Sequence, residues 1–108
     1  MTRYSFGDIV IIGFPFTNMN NAVMRPAMVL VDIGDEDVIV CKITSQKRDV
    51  DTDLYINNWR DKGLLRQSYV RLSKIATLNR KDIKKKMDRL NEEDIEKAKD
   101  ILRKLLEL

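Results

Sequence analysis

Apolar and polar positions alternate or cluster along most of the chain, and only at the C-terminus do they adopt a helical period. Phe6 to Phe14 (Phe6-Gly7-Asp8-Ile9-Val10-Ile11-Ile12-Gly13-Phe14) is rich in β-branched and aromatic residues, with glycine near both ends, which predicts a strand. Pro15 to Arg25 is polar, carries Asn18, Asn20 and Asn21, and reads as an exposed loop long enough to suspect a function. Pro26 to Val31 is a second apolar run, with Pro26 expected at the strand start and not inside it. Asp32-Ile33-Gly34-Asp35 predicts a turn, and Asp37 to Ser45 a third strand closed by the polar cluster Thr44-Ser45-Gln46-Lys47-Arg48. Short strands joined by a turn imply an antiparallel sheet.

The middle of the chain is less regular. Leu54 to Ile56 and Leu64-Leu65 are short candidate strands flanking Asn57 to Gly63, and Gln67 to Leu72 alternates like a further strand. Asn79 to Asp82 reads as a turn or one helical turn, and Ile83 to Leu90 as a short strand. Apolar residues then fall at Ile95, Ala98, Ile101, Leu102, Leu105 and Leu106, three and four apart, which predicts one amphipathic helix over 91–108 packed on the sheet. Asn91 is placed as its N-cap, Glu92-Glu93-Asp94 complement the macrodipole, and Leu90 and Ile95 form a hydrophobic staple.

Composition narrows the function classes. With 108 residues the chain suits one domain. A single cysteine, Cys41, rules out an internal disulfide and fits a reducing compartment. The absence of histidine excludes histidine triads, histidine-ligated metals and the two-histidine ribonuclease mechanism. No apolar run approaches the ~20 residues of a membrane span, and the first residues lack a signal-peptide pattern, so a cytoplasmic protein is expected. Residues 1–59 hold 5 basic and 8 acidic side chains, net −3, whereas residues 60–108 hold 15 and 9, net +6. The basic half suits either a polyanion partner or a solvated, lysine-rich helix.

Few residues offer chemistry. Asp49, Asp51 and Asp53 alternate like a strand face and suggest a hard-cation site, and no phosphate-binding glycine loop is present. What remains is polar residues at strand ends. If 26–31 and 37–44 pair as a hairpin about the 32–35 turn, Arg25 and Thr44 reach the same end of the sheet. A guanidinium beside a hydroxyl suits an oxyanion such as phosphate.

Stretches in order along nearly the whole chain resemble the MazF/PemK family, the endoribonuclease arm of bacterial toxin–antitoxin pairs. They are Gly7-Asp8-Ile9-Val10, Phe14-Pro15-Phe16-Thr17, Arg25-Pro26-Ala27-Met28-Val29-Leu30, Lys42-Ile43-Thr44-Ser45-Gln46, Gly63-Leu64, Ser68-Tyr69-Val70-Arg71, Lys74-Ile75-Ala76-Thr77-Leu78 and Leu90-Asn91-Glu92-Glu93-Asp94. The resemblance implies a mainly β fold with a C-terminal helix, a small SH3-like antiparallel β-barrel, forming a single toxin domain over 1–108. It implies a homodimer, a cognate antitoxin whose disordered tail fills the RNA groove, and sequence-specific cleavage of single-stranded RNA such as mRNA, with no metal and no cofactor. It assigns catalysis to Arg25 and Thr44, and in the PemK branch also to Arg71. An aspartate of that branch is Ser73 here, its first-loop histidine is absent, and so is a glutamate that other members carry before the Arg-Pro step.

A mechanism without histidine has the ribose 2′-OH attack the adjacent phosphate, giving a 2′,3′-cyclic phosphate and a 5′-OH end. Arg25 would hold the non-bridging oxygens, Thr44 would donate to one of them, and Arg71 would assist the leaving oxygen. A guanidinium stays protonated, so the general base is left open. Phe16, Thr17, Asn18 and Asn20, with Ser45 and Gln46, are candidates to stack on or hydrogen-bond splayed bases. Phe14 is expected in the core, and Trp59 in the core or a dimer interface. Two rival readings share the architecture: a gyrase poison, which would want a tryptophan-bearing C-terminal tail where this chain has Leu105-Leu106-Glu107-Leu108, and a catalytically silent RNA- or protein-binding module, which would not need the Arg25 and Thr44 pair.

Overall fold

The structure is a computed structural model that describes residues 2–15 and 22–108. Six strands form one antiparallel sheet: β1 (Asp8–Pro15), β2 (Ala22–Asp32), β3 (Asp37–Thr44), β4 (Asp53–Tyr55), β5 (Tyr69–Asn79) and β6 (Ile83–Arg89). A 3-10 turn (Arg80–Asp82) joins β5 to β6, and helix α1 (Glu92–Leu106) follows. The strand order is β4-β5-β3-β2-β1-β6.

Alternation along the strands sorts the core into two clusters. Ile9, Met28, Cys41, Ile43 and Leu72 join Ile95 and Ala98 of α1, while Val10, Ile12, Ala27, Val29, Val38 and Val40 form a second cluster with Leu78 and Ile83. Successive side chains point to opposite sides of a strand, so both sides of the central strands are buried. Gly7 sets the approach of α1. Its φ is +93°, and a Cβ there would lie 2.8 Å from Ile95. Its carbonyl accepts from Leu90 N–H at 2.9 Å, and its own N–H donates to Val29 at 3.0 Å.

The mainly β fold with a C-terminal helix agrees with the sequence reading, but the sheet is not closed into a barrel. Among the described residues β4 and β6 are the outer strands. β4 is only three residues long, and the chain beyond it leaves the ladder in a series of turns over 57–66. Those turns fill the gap with side chains: Lys62 Nζ donates to the Arg89 carbonyl at 2.7 Å, and a Cβ on Gly63 would sit 3.0 Å from Met87. The expected strand at Leu64-Leu65 falls in these turns.

Three further expectations are corrected. β2 begins at Ala22, so Pro26 lies inside a strand. It is tolerated because Pro26 pairs only with Ile11 of β1, one residue beyond the last β3 pair, Ala27 with Lys42, where β2 behaves as an edge. β5 runs to Asn79 because three residues, Leu72 to Lys74, bulge out between the Lys42–Arg71 and Cys41–Ile75 pairs, and the bulge erases the alternation that marks Gln67 to Leu72. Asn91 does not cap α1 with its side chain, which instead donates to Asn58 Oδ1 at 2.6 Å. Asp94 lies on the first turn of α1 as expected; it is fully buried there and accepts from the backbone and side chain of Asn57 at 2.9 and 2.8 Å. Trp59 packs at the margin of the first cluster. No described helix is long and apolar enough to cross a membrane.

Candidate functional site

The β2–β3 hairpin builds the site. Near its tip, a one-residue bulge on β2 shifts the register from Val31↔Ile39 to Val29↔Val40. Continuing the Ala27↔Lys42 register two residues outward sets Arg25 opposite Thr44. The ladder itself ends at Ala27↔Lys42, and what Arg25 and Thr44 share is the cleft that opens beyond it. Without the bulge Arg25 would oppose Ser45, and every β3 side chain would face the wrong way relative to it.

A cleft of about 860 Å³ opens at these strand ends. Arg25, Thr44, Ser45 and Gln46 line it. So do the neighbours Pro26 and Ile43, so the cleft wraps around the strand ends and does not lie on one face of the sheet. Arg25 is exposed, and no hydrogen bond or ion pair from another described residue holds its guanidinium. Thr44 is half-buried, and its Oγ1 accepts the Gln46 N–H at 3.1 Å. That bond occupies a lone pair and leaves the hydroxyl proton free to donate into the cleft.

Three more cations line the same cleft: Lys42, Arg66 and Lys85, all exposed. The sequence reading missed them. Lys85 was hidden in the run Lys84-Lys85-Lys86, where only the β6 pairing with Ile11 separates it from its neighbours. Leu65 stands beside Arg66 at 94% exposure and gives the rim an apolar contact.

Arg71 is not in the cleft wall. Its side chain is 8% exposed; Nη2 donates to the Gln46 carbonyl at 3.0 Å and to Asp53 at 3.3 Å, and Nε to Asp53 at 3.4 Å. Asp53 also accepts from Arg48 at 3.2 and 3.4 Å. Burial alone would raise the Asp53 pKa, but the hydrogen bonds from Arg48 and Arg71 outweigh it and hold the carboxyl below its ordinary value. The alternation of Asp49, Asp51 and Asp53 therefore does not make a cation site: Asp53 is taken by two arginines while Asp49 and Asp51 are exposed. No group of three or more metal-ligating side chains occurs among the described residues. Cys41 is buried, which pushes its thiol up to about 12 and leaves it unreactive. Phe16, Thr17, Asn18 and Asn20 lie outside the described residues.

Solved structures share this fold over nearly the whole chain. A MazE–MazF structure from Deinococcus radiodurans superposes with a TM-score of 0.80 at 15% identity, covering 99% of each chain. An endoribonuclease from Mycobacterial species matches with a TM-score of 0.75 at 16% identity, covering 100% of this chain and 95% of that one. An endoribonuclease in complex with its cognate antitoxin, also mycobacterial, gives 0.74 at 16%, over 97% and 96%. Among proteins of curated function none matches the chain. The family model that describes PemK-like, MazF-like toxins of type II toxin–antitoxin systems matches residues 5–106. With the family model spanning the sheet, the cleft and the helix alike, the chain belongs to the PemK-like, MazF-like toxins.

Proposed function

We propose that this toxin is a metal-independent endoribonuclease that cuts single-stranded RNA at short sequences, and that it works as a homodimer restrained by a cognate antitoxin. The observation that carries the reading is that Arg25 and Thr44, at neighbouring strand ends, line one cleft whose other charged walls are Lys42, Arg66 and Lys85. Four cations around one opening attract a phosphodiester backbone, and a guanidinium facing a hydroxyl proton offers two donors to one phosphate. The structures of an endoribonuclease alone and with its antitoxin agree with this reading at the level of fold.

The chemistry follows from the donors. The ribose 2′-OH attacks the adjacent phosphorus, an O2′–P bond forms, and the P–O5′ bond breaks. Negative charge grows on the non-bridging oxygens. Arg25 binds them through two parallel N–H groups, and Thr44 donates one hydroxyl hydrogen bond, so both interactions strengthen toward the transition state. The 2′-OH gives its proton to solvent water and the departing O5′ takes one from water; Arg25 holds its proton throughout and the Thr44 hydroxyl is too weak a base, so neither serves as base. Splayed bases would lie over Ser45 and Gln46, and Phe16, Thr17, Asn18 and Asn20 offer a ring, a hydroxyl and amides of the kinds that stack on and hydrogen-bond such bases. Histidine is absent from the sequence, so no imidazole takes part in either proton transfer.

The purified protein should cut single-stranded RNA in EDTA and leave 2′,3′-cyclic phosphate and 5′-OH termini, read by mass spectrometry of the fragments. Activity that vanishes with chelator and returns with magnesium or manganese overturns the mechanism. No cleavage of any single-stranded RNA overturns the enzyme reading itself.

A further inference from the structure

Arg71 and Asp53 are the most buried ion pair near the cleft, yet neither lines it. What they touch is the segment that leaves β3. Beyond Thr44 the chain abandons the sheet, and Gln46, Lys47 and Arg48 are exposed with no ladder to hold them. Gln46 is nonetheless fixed at both ends of its backbone. Its N–H donates to Thr44 Oγ1 at 3.1 Å, and its carbonyl accepts from Arg71 Nη2 at 3.0 Å. Two residues on, Arg48 is tied to the same Asp53 that binds Arg71. Asp53 is itself fixed by β4, where it pairs directly with Arg71 across the ladder, and its side chain is 2% exposed.

We infer that Asp53 and Arg71 are positioning residues that act through the Gln46 peptide to hold the Thr44 hydroxyl in one rotamer, facing the scissile phosphate. The Thr44 side chain projects from a strand end and would otherwise distribute among staggered wells. The Gln46 N–H selects the well in which Oγ1 points at it. That N–H can do so only while the Gln46 peptide keeps its orientation, and among the described residues the group that grips its carbonyl is the buried Arg71. Asp53 in turn sets the fork of Arg71, since Nε and Nη2 both address its carboxylate. Arginine is needed in this role: a lysine ammonium reaches one acceptor or the other without the planar geometry that serves both. The residue that resemblance places among the catalytic groups thus works one step behind the reacting atoms. The kinetic consequence rests on the proposed RNA cleavage, and the conformational one does not.

The experiment compares the wild type with Asp53→Asn and Arg71→Lys. Arg71→Lys keeps a cation against Asp53 and serves if Asp53→Asn does not fold. Three-bond couplings from the Thr44 Cγ2 to the backbone N and C′ report χ1 in solution. They should show one rotamer in the wild type and averaging in the folded variants. In cleavage assays each variant should lower kcat about 10- to 100-fold with KM within about twofold, the pattern expected of a misplaced group. In the Thr44→Ala background, Arg71→Lys should cost nothing further, because its effect passes through that hydroxyl. A single Thr44 rotamer retained in folded Arg71→Lys overturns the inference. Losses that multiply in the double variant overturn it too, and show Arg71 acting on the phosphate directly. If the wild type cuts no RNA, the cleavage reading fails and the couplings alone decide the positioning.

Discussion

The β2–β3 hairpin meets an arginine near each end, Arg80 from the 3-10 turn at the tip and its own Arg25 at the open end, and the two are used in opposite ways. At the tip, Arg80 spends its donors on protein: it is ion-paired with Asp32, donates to the Asp35 carbonyl at 2.9 Å and to the Thr2 carbonyl at 2.7 Å, and lies over the Tyr4 ring at 5.9 Å. Asp32 also accepts from Tyr4 N–H and Gly34 N–H, both at 2.9 Å, so the N-terminal segment, the tip and the 3-10 turn meet on one carboxylate. At the open end Arg25 has no such carboxylate among the described residues and lines the same cleft as Thr44, whose hydroxyl accepts from Gln46 N–H and keeps its proton to donate. A hollow exists at each end, of about 600 Å³ at the tip and about 860 Å³ at the other. Volume therefore does not separate the two; what separates them is whether the arginine is already satisfied. A satisfied guanidinium holds a fold together, and an unsatisfied one in a cationic cleft waits for an anion.

The largest expected effect breaks the open end. Arg25→Ala and Thr44→Ala should each reduce RNA cleavage by ~10²–10³, about 3–4 kcal/mol of transition-state stabilisation. Thermal unfolding should shift by no more than about 0.5 kcal/mol, because Arg25 is exposed and Thr44 half-buried. RNA affinity should fall more for Arg25→Ala, since only that residue brings a full charge. Arg25→Lys should rescue poorly for want of the two-point contact. A 2′-deoxy sugar at the cut site should stop cleavage while barely weakening binding. Near wild-type cleavage by Arg25→Ala would show that the free guanidinium is not where the chemistry happens.

The tip should answer in the other currency, stability. Asp32→Ala leaves Arg80 and two backbone N–H groups without their acceptor and should cost about 3 kcal/mol, the low end for breaking a buried pair, measured by urea denaturation. RNA cleavage per folded molecule should be unchanged. The acid limb carries the same signature. The Arg80 hydrogen bond, supported by the Tyr4 and Gly34 N–H groups, outweighs burial and holds the Asp32 carboxyl well below the ordinary carboxylate range. A depressed carboxylate stabilises the fold fully above the unfolded-state value of ~3.9 and loses that contribution as pH falls below it. Wild-type stability should therefore drop between about pH 5 and pH 2 more steeply than that of Asp32→Ala. Equal slopes would mean that the tip carboxylate is not a lock.

The difference between the two ends was only half legible in the sequence. Hydrophobic patterning located β1, β3, β4, β6, the hairpin turn and α1, and it brought Arg25 and Thr44 to one end of the sheet, while it placed a strand at Leu64-Leu65 that the structure lacks and stopped β5 short. It left the residue-level register open, because that depends on a one-residue bulge among uniformly apolar residues, Val29 to Val31, where alternation gives no signal. The Asp32–Arg80 lock was invisible for a plainer reason: its partners are 48 residues apart, and nothing local marks either as buried. The same holds for Arg71 and Asp53, 18 residues apart, where the even spacing of three aspartates suggested cation ligation and the structure shows an ion pair. The cleft cations failed differently. Lys42, Arg66 and Lys85 come from β3, the turns before β5, and β6, and only the sheet's wrap around the hairpin end makes them neighbours.

The smallest effect sharpens the comparison to one lysine among three. Lys85 pairs in register with Ile11, and both line the cleft. Lys86 is 3.3 Å from the buried Asp8 carboxylate, and the Lys84 stem runs alongside Gly13, so neither is aimed at the cleft. If the open end is a phosphate track, Lys85 should neutralise a backbone phosphate that its neighbours do not reach. Each phosphate contact to a single strand contributes about 0.7 to the slope of log K against log salt. With a ten-nucleotide 2′-O-methyl RNA of mixed sequence, which cannot be cleaved, Lys85→Ala should flatten that slope by about 0.7. Lys84→Ala should leave it unchanged. Lys86→Ala should also leave it unchanged, while lowering stability slightly through Asp8, which keeps Arg89 at 3.3 Å. Equal flattening by all three would reduce the basic half of the chain to a diffuse field. A slope altered by Lys85 alone would extend the contrast drawn at the hairpin to β6, where one lysine is left for the ligand and its neighbour is spent on the fold.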